Sequence, residues 1–167
     1  NIVGYVPTGS GMMIMANSNV EVFGNEFSGN GTVNLAIRGF MSYGDNQPNT
    51  DPNYYPYPRN LHIYDNHFGK GGYKPMGERG ELYAEAAGGA PIPDIMWDGI
   101  RDEAAIAAGK LPENCNIFLS KNGDADFINL DLVNYMNDPK SSKPSRDIKA
   151  HKGSLPKLEP VKLPQDS

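Results

Sequence analysis

One short pattern recurs along the chain and constrains its fold more than any other feature. "NVEVFGNEF" at residues 19–27 and "NLHIYDNHF" at residues 60–68 align without a gap, and "NIFLSKN" at residues 116–122 is a third, shorter copy. Each copy alternates apolar and polar side chains, which is the two-residue period of a β-strand. Self-similarity of this kind predicts that the copies stack on one another as neighbouring strands.

The alignment also predicts which residues lie beside one another. Two columns follow from it, with Val20, Leu61 and Ile117 facing one side and Glu21, His62 and Phe118 facing the other. The strand within each copy is followed by an asparagine, a residue that tolerates left-handed backbone and favours turns. We therefore expect Asn25, Asn66 and Asn122 to form an internal ladder at one corner, with Phe27 and Phe68 stacked just after it.

Longer segments resemble a known family. "NVEVFGNEFSGN" and "NLHIYDNHFGKG" resemble the right-handed parallel β-helix repeats of bacterial extracytoplasmic proteins, a superfamily with pectate lyases, polygalacturonases, alginate epimerases and "CASH" carbohydrate-binding modules. The segments "GMMIMANSNVEVFGN", "PYPRNLHIYDN", "PDIMWDGI" and "NGDADFINLDL" together are similar to a narrower group of uncharacterised bacterial β-helix-domain proteins. The resemblance implies an all-β, right-handed parallel β-helix formed by the C-terminal rungs of a solenoid. It also implies a periplasmic or extracellular location, with a lipid anchor in a preceding region as one option.

The chain divides into a repetitive body and a tail. Residues 1–133 would form the rungs, with insertions at about 41–58 and 71–113, and residues 134–167 an extended Pro/Lys-rich tail. In the second insertion, "GERGELYAEAAG" predicts a short helix and "WDGIRDEAAIAAGKLP" predicts another with Asp98 as its N-cap. About three rungs leave an exposed sheet edge, so we expect the remaining N-terminal part of the solenoid or another chain to cover that end.

Composition excludes several classes of protein. The 167 residues are 38% hydrophobic with a formal net charge of −5, which suits one domain with a core. No apolar run approaches the ~20 residues of a membrane-spanning helix, and an acidic body argues against nucleic-acid binding. The single Cys115 excludes an internal disulfide, and because nothing nearby would lower the pKa of its thiol, we expect a small buried side chain rather than a nucleophile.

One functional hypothesis is catalytic. Uronate lyases and C5-epimerases need a cation, a base and an acid beside the sugar ring. Arg59, His62 and Glu21 are the candidate catalytic residues, with Glu21 expected to raise the pKa of His62. The alternative is that Glu21 and His62 form an ordinary exposed cross-strand pair. The "DPHE" motif of alginate epimerases is absent, since "DPNY" at residues 51–54 lacks its histidine and glutamate.

The other hypothesis is binding, in a module with a structural role in a larger chain or assembly. Its candidate ligand-binding residues, for a polysaccharide or protein partner, are Tyr54, Tyr55, Tyr57, Arg38 and Asp51. Aromatic faces stack on sugars, although the tyrosines could equally pack their own loop against the body. The same loop offers oxygen ligands suited to Ca²⁺ without matching an EF-hand, namely Asp45, Asn46, Asn49, Asp51 and Asn53. No other cofactor is expected.

Overall fold

The computed structural model describes residues 6–40 and 53–160. Within those residues the chain forms nine β-strands, three α-helices and one 3-10 helix at Lys149–His151. In chain order the elements are β1 (Ser10–Met15), β2 (Ser18–Phe23), β3 (Glu26–Phe27), β4 (Val33–Arg38), β5 (Arg59–Tyr64), β6 (His67–Phe68), α1 (Gly77–Ala86), β7 (Ile95–Trp97), α2 (Glu103–Ala107), β8 (Ile117–Ser120), β9 (Phe127–Asn129) and α3 (Leu132–Asn137).

In the described part of the chain the strands form three parallel sheets. Their orders are β1-β4-β7-β9, β2-β5-β8 and β3-β6. In the three-stranded sheet, Val20 pairs with Leu61 and Leu61 pairs with Ile117. In the two-stranded sheet, Phe27 pairs with Phe68, and their rings stack with centroids 5.0 Å apart. The register predicted from the repeats is therefore confirmed.

Asparagines connect the copies at two corners. At the predicted ladder, the Asn25 amide nitrogen donates to Asn66 Oδ1 at 3.0 Å, and Asn66 Nδ2 donates to Asn122 Oδ1 at 3.2 Å. A second ladder, which the sequence reasoning missed, joins the asparagines that open each copy. Its members, Asn19, Asn60 and Asn116, have φ values of 60°, 54° and 53°. The asparagines of this second ladder therefore adopt left-handed backbone, which asparagine tolerates better than most residues. At the predicted ladder the left-handed residue is instead the one before each asparagine, namely Gly24, Asp65 and Lys121.

The four-stranded sheet is covered on both faces. One face contributes Ile37 and Trp97 to an interior cluster shared with the three-stranded sheet. The opposite face packs Ala36 and Met96 against Tyr83 of α1. As a result β4 is buried at all six positions. Burial on both faces is typical of parallel sheets that are flanked by helices.

The prediction of an all-β, right-handed parallel β-helix is wrong. The described residues form parallel sheets of four, three and two strands together with three helices, which is an α/β-like arrangement. The physical reason lies in the second insertion, because α1 buries its apolar face on the four-stranded sheet. The strand count also differs from sheet to sheet, whereas the rungs of a solenoid would repeat evenly.

Both predicted helices exist, but one begins later than expected. The first segment forms α1, as predicted. In the second, Asp102 rather than Asp98 is the N-cap of α2, and its carboxylate accepts a hydrogen bond from the Ala105 amide. The Asp98 carboxylate is fully buried and accepts hydrogen bonds from the amides of Gly39 and Ile100. No helix in residues 6–40 and 53–160 has the length and apolarity needed to cross a bilayer.

Candidate functional site

The outward side of the three-stranded sheet holds two of the predicted catalytic residues. Glu21 and His62 are direct neighbours across β2 and β5. The His62 ring stacks on Tyr64 with centroids 4.2 Å apart, and His62 Nε2 lies 3.0 Å from Ser120 Oγ. The Tyr64 hydroxyl donates to the Glu21 carboxylate at 3.0 Å. These four side chains line a cavity of about 330 Å³, which we call the His62 face.

The C-terminal tail lies across the His62 face. Leu155 and Lys157 line the cavity, and the Leu158 amide donates to the Glu21 carboxylate at 3.0 Å. Gly153 passes so close to Phe118 that a Cβ there would lie 2.7 Å from a ring carbon. The sheet surface proposed for a polysaccharide is thus occupied by residues of the same chain.

The electrostatics of His62 differ from the expectation. Burial lowers its pKa, and this effect outweighs the neighbouring carboxylates of Glu21 and Asp65, which would raise it. Glu21 thus acts in the predicted direction, but the net shift of the pKa of His62 is downward because burial is the larger effect. Ser120 was not identified from the sequence, although the third repeat copy places it beside Tyr64. The pair of His62 and Ser120 resembles a base and nucleophile, but the described residues place no acceptor on His62 Nδ1 to orient the ring.

Arg59, the third predicted catalytic residue, belongs to a different cavity. Its guanidinium carbon lies 3.8 Å from the centre of the Tyr55 ring, and its Nε donates to Ser18 Oγ at 3.1 Å. The Tyr55 hydroxyl donates to Asp102 at 2.9 Å. Arg59, Tyr55 and Asp102 line a space of about 390 Å³ together with Lys110, Leu111 and alanines in and beside α2, and we call this space the Arg59 cleft. The structure therefore brings Glu21 and His62 together but places Arg59 apart from both.

Arg38 is not available to a ligand. Its side chain is fully buried, and Nε lies 3.6 Å from the carboxylate of Asp98, which is buried as well. The guanidinium carbon also lies 4.7 Å from the centre of the Tyr83 ring of α1. Arg38 was predicted to bind a ligand from the outward side of β4, but α1 covers that side.

The tyrosines of the first insertion contact other side chains. The rings of Tyr54 and Phe40 meet edge to face at 5.3 Å, as do those of Tyr55 and Tyr57 at 5.5 Å. One face of Tyr55 is also occupied by Arg59, so the predicted stacking of this ring on a sugar is not supported. Nothing in the described residues supports carbohydrate binding or a periplasmic location. Asp51 lies outside the described residues, as do Asp45, Asn46 and Asn49 of the predicted Ca²⁺ loop.

His151 is a buried residue whose role the sequence did not reveal. It is 4% exposed, its Nδ1 donates to the Ile117 carbonyl at 2.9 Å, and its ring contacts Trp97 and Phe127. Burial lowers its pKa, which favours the neutral imidazole. Trp97 Nε1 is buried without a hydrogen-bond partner in the described part of the chain. His151 thus closes the end of the interior cluster beside the last strands.

Two further expectations concern reactive and metal-binding groups. Cys115 is fully buried, and burial raises the pKa of its thiol to about 12, so the prediction of a buried structural cysteine is confirmed. Among residues 6–40 and 53–160, no three or more histidine, cysteine, aspartate or glutamate side chains come together in a way that could hold a metal ion.

Among the described residues, the end of the molecule opposite His151 has two strands that pair on one side only. They are β2 of the three-stranded sheet and β3 of the two-stranded sheet. Val20 of β2 is partly buried against the interior cluster, and Phe23 of the same strand is 49% exposed. We call this surface the open edge.

The chain was compared with known proteins at the level of families, curated sequences and solved structures, and no family model, curated protein or solved structure matches it. Its resemblance to the bacterial β-helix superfamily therefore stays a prediction.

Proposed function

We propose that the chain is a protein-binding module that pairs with a second copy of itself through the open edge. The single observation that carries this proposal is that, among the described residues, the three-stranded and two-stranded sheets both end on the same side of the molecule in a strand that pairs on one side only. An edge strand directs alternate backbone N–H and C=O groups away from its sheet, where an added strand can bind them.

The longer strand of the open edge lacks the features that usually discourage pairing. Natural edges carry charged residues, proline or a bulge, are very short, or are covered by another segment. The sequence of β2, SNVEVF, contains neither a lysine nor a proline, whereas the two-residue β3 carries Glu26. The one charged residue of β2 is Glu21, and its carboxylate is already bound by Tyr64 and the Leu158 amide on the outward side.

The other end of the sheets is protected by the chain itself. Asn129 of β9 and Ser145 of the tail exchange two backbone hydrogen bonds of 2.8 Å in an antiparallel bridge. His151 Nδ1 donates to the carbonyl of Ile117 in β8, and Asn114 Nδ2 donates to the Ala150 carbonyl. One end thus has a cover built from the tail, whereas β2 and β3 at the other end pair on one side only among the described residues, which supports a partner at the open edge.

The catalytic alternative has less support. A uronate lyase or epimerase would need Arg59 beside His62 to neutralise the sugar carboxylate, whereas the two residues line separate cavities. The tail occupies the surface on which the polysaccharide would lie. We therefore favour binding over catalysis.

Self-association offers a direct test, because two copies can pair edge to edge around a two-fold axis. We expect light scattering after gel filtration to show a concentration-dependent dimer. Val20→Lys and Phe23→Lys should each yield a monomer, because both place a cation in the outermost layer. Val133→Lys is the matched control, since Val133 is 49% exposed on α3, and it should leave the dimer intact.

Circular dichroism should confirm that each variant is folded before its mass is interpreted. Val20 is partly buried and could destabilise the fold, whereas Phe23 is exposed, so the Phe23 variant keeps the test informative. A wild-type protein that stays monomeric at its highest soluble concentration would contradict the proposal. So would a dimer that survives both lysine substitutions.

A further inference from the structure

The Arg59 cleft holds an arginine whose hydrogen-bonding capacity is largely unused. Guanidinium carries five N–H groups in a planar fork that matches a carboxylate. The Nε–H of Arg59 donates to Ser18 Oγ. Within residues 6–40 and 53–160, Arg59 forms no ion pair, in contrast to Arg101 and Arg146, which pair with glutamate and aspartate. Its two terminal NH₂ groups therefore have no protein acceptor there.

The guanidinium is also held in place. Its carbon lies 3.8 Å from the centre of the Tyr55 ring, and its Nε–Ser18 bond fixes the rotation of the plane. Tyr55 in turn is fixed by the hydrogen bond from its hydroxyl to Asp102. A half-buried arginine stacked on an aromatic ring loses little further freedom when it binds an anion, and this favours tight and directional binding.

Both oxygens of the nearest carboxylate, Asp102, are bound by donors other than Arg59. One oxygen accepts the Ala105 amide, and the other accepts the Tyr55 hydroxyl. These bonds lower the pKa of Asp102, as does the charge of Arg59 to a smaller extent, so the carboxylate stays ionised. Lys110 lies exposed at the rim, so the cleft carries two cations against one satisfied carboxylate.

The rest of the wall is small and apolar. Ala104, Ala105, Ala108 and Leu111 line the space beside the charged groups, which measures about 390 Å³. Pockets of roughly 300–1,000 Å³ suit small organic molecules. Sugar rings are usually held by an open aromatic face, and in this cleft Arg59 already covers Tyr55.

We propose that the Arg59 cleft binds the carboxylate of a small organic acid with a short aliphatic body. The two terminal NH₂ groups of Arg59 receive the carboxylate in a bidentate pair, and Lys110 adds a second cation at the rim. The alanine wall and Leu111 contact the aliphatic part. This site is independent of the open edge, and neither proposal depends on the other.

Sodium butyrate is the probe, and butyramide, its uncharged counterpart of similar shape, is the matched control. Both are titrated into ¹⁵N-labelled protein at constant ionic strength while the backbone amide of Ala105 and the Arg59 Nε–H are followed by NMR. We expect a saturable shift with butyrate and none with butyramide. A saturable shift with butyramide, or no saturation with butyrate, would overturn the proposal.

Variants identify the residue responsible, with the Ala105 amide as the signal that all of them retain. Arg59→Gln should weaken butyrate binding about tenfold or more, the loss expected for a charge-assisted hydrogen bond. Arg59→Lys keeps the charge but loses the fork, so it should also bind more weakly than wild type. Lys110→Gln, at an exposed position, should cost about two- to fivefold and does not depend on the packing of Arg59. Arg146→Gln is the control, because Arg146 pairs with Asp126 elsewhere, and it should bind normally.

Two further ligands test the chemistry of the site. Inorganic phosphate should bind more weakly than butyrate, because it cannot contact the alanine wall. Galacturonate should also bind more weakly, because Tyr55 offers no open face to its ring. Tighter binding of either ligand, or equal binding by Arg59→Gln and wild type, would refute a site for small aliphatic acids.

Discussion

Replacing Asn66 with alanine tests the ladder that joins the three repeat copies. Asn66 is 5% exposed and is the middle member. Its Nδ2 donates to the carbonyls of Val22 and Tyr64 at 2.9 and 3.0 Å, and its Oδ1 accepts the Asn25 backbone amide at 3.0 Å. The alanine variant removes all of these bonds and leaves the buried Val22 carbonyl without its amide donor.

The expected loss follows from the burial of the groups left behind. Leaving a buried backbone group unsatisfied costs about 1–3 kcal/mol, and an ordinary hydrogen bond contributes about 1 kcal/mol. The Val22 carbonyl belongs to the first class, and the partly exposed Asn25 amide to the second. Asn66→Ala should therefore lower the free energy of unfolding by about 3 kcal/mol.

Asn25→Ala is the matched comparison, because Asn25 is the exposed outer member of the same ladder. Its side chain donates to Asn66 and to the Phe23 carbonyl, and neither bond leaves a deeply buried group unsatisfied when it is lost. We expect a loss of about 1 kcal/mol. Urea unfolding followed by the fluorescence of Trp97, the single tryptophan, measures both variants. Equal losses, or a greater loss for Asn25→Ala, would refute the argument from burial.

Two further predictions concern buried titratable groups. Because burial lowers the pKa of His151, with Asp147 opposing that shift, docking of the tail should be most stable above the ordinary histidine pKa of about 6.5 and should weaken as the pH falls below it. Trp97 fluorescence and protease cleavage of the tail measure this, and His151→Phe should remove the pH dependence, whereas an unchanged profile would contradict it. Burial raises the pKa of Cys115 to about 12, so its thiol should react with a disulfide reagent only after unfolding, and rapid labelling of the native protein would contradict this.

The parts of the fold that depend on local pattern were predictable from the sequence. Two-residue alternation fixed which side chains share a side of a strand, and the repeat alignment fixed the register of Val20, Leu61 and Ile117. Each of these properties requires only that equivalent residues occupy equivalent positions.

The prediction of the fold class was wrong because the fold class depends on which segments cover the strands. The sequence VNLAIR of β4 has apolar residues at both odd and even positions, and the structure buries both sets. That pattern was available as a signal of a sheet covered on both faces, which is typical of parallel sheets flanked by helices. Helix α1 was predicted as a helix, but its packing against Ala36 and Met96 is a contact between segments far apart in the chain. Arg38 was misplaced for the same reason.

The predicted site was wrong in two respects, namely the position of Arg59 and the docking of the C-terminal tail. Asn60 has a φ of 54°, and this left-handed residue interrupts the alternation between Arg59 and the rest of β5. Spacing in the sequence therefore could not show that Arg59 and His62 line different cavities. The docking of the tail on the His62 face was not predicted for another reason. The bond from the Leu158 amide to Glu21 joins residues that lie 137 positions apart in the chain. A proline-rich segment without a core of its own carries no local signal of where it docks.

The docking of the tail also explains why Glu21 and His62 can lie on a sheet without being exposed. An open outward side would leave Glu21 hydrated and His62 close to its ordinary pKa. The tail instead supplies the Leu158 amide to Glu21 and limits solvent access, and burial lowers the pKa of His62. The same segment begins at His151, which covers the end of the interior cluster. One stretch of about eight residues, from His151 to Leu158, therefore both closes the core and sets the electrostatics of the His62 face, so a change that releases His151 should also return the pKa of His62 towards its ordinary value.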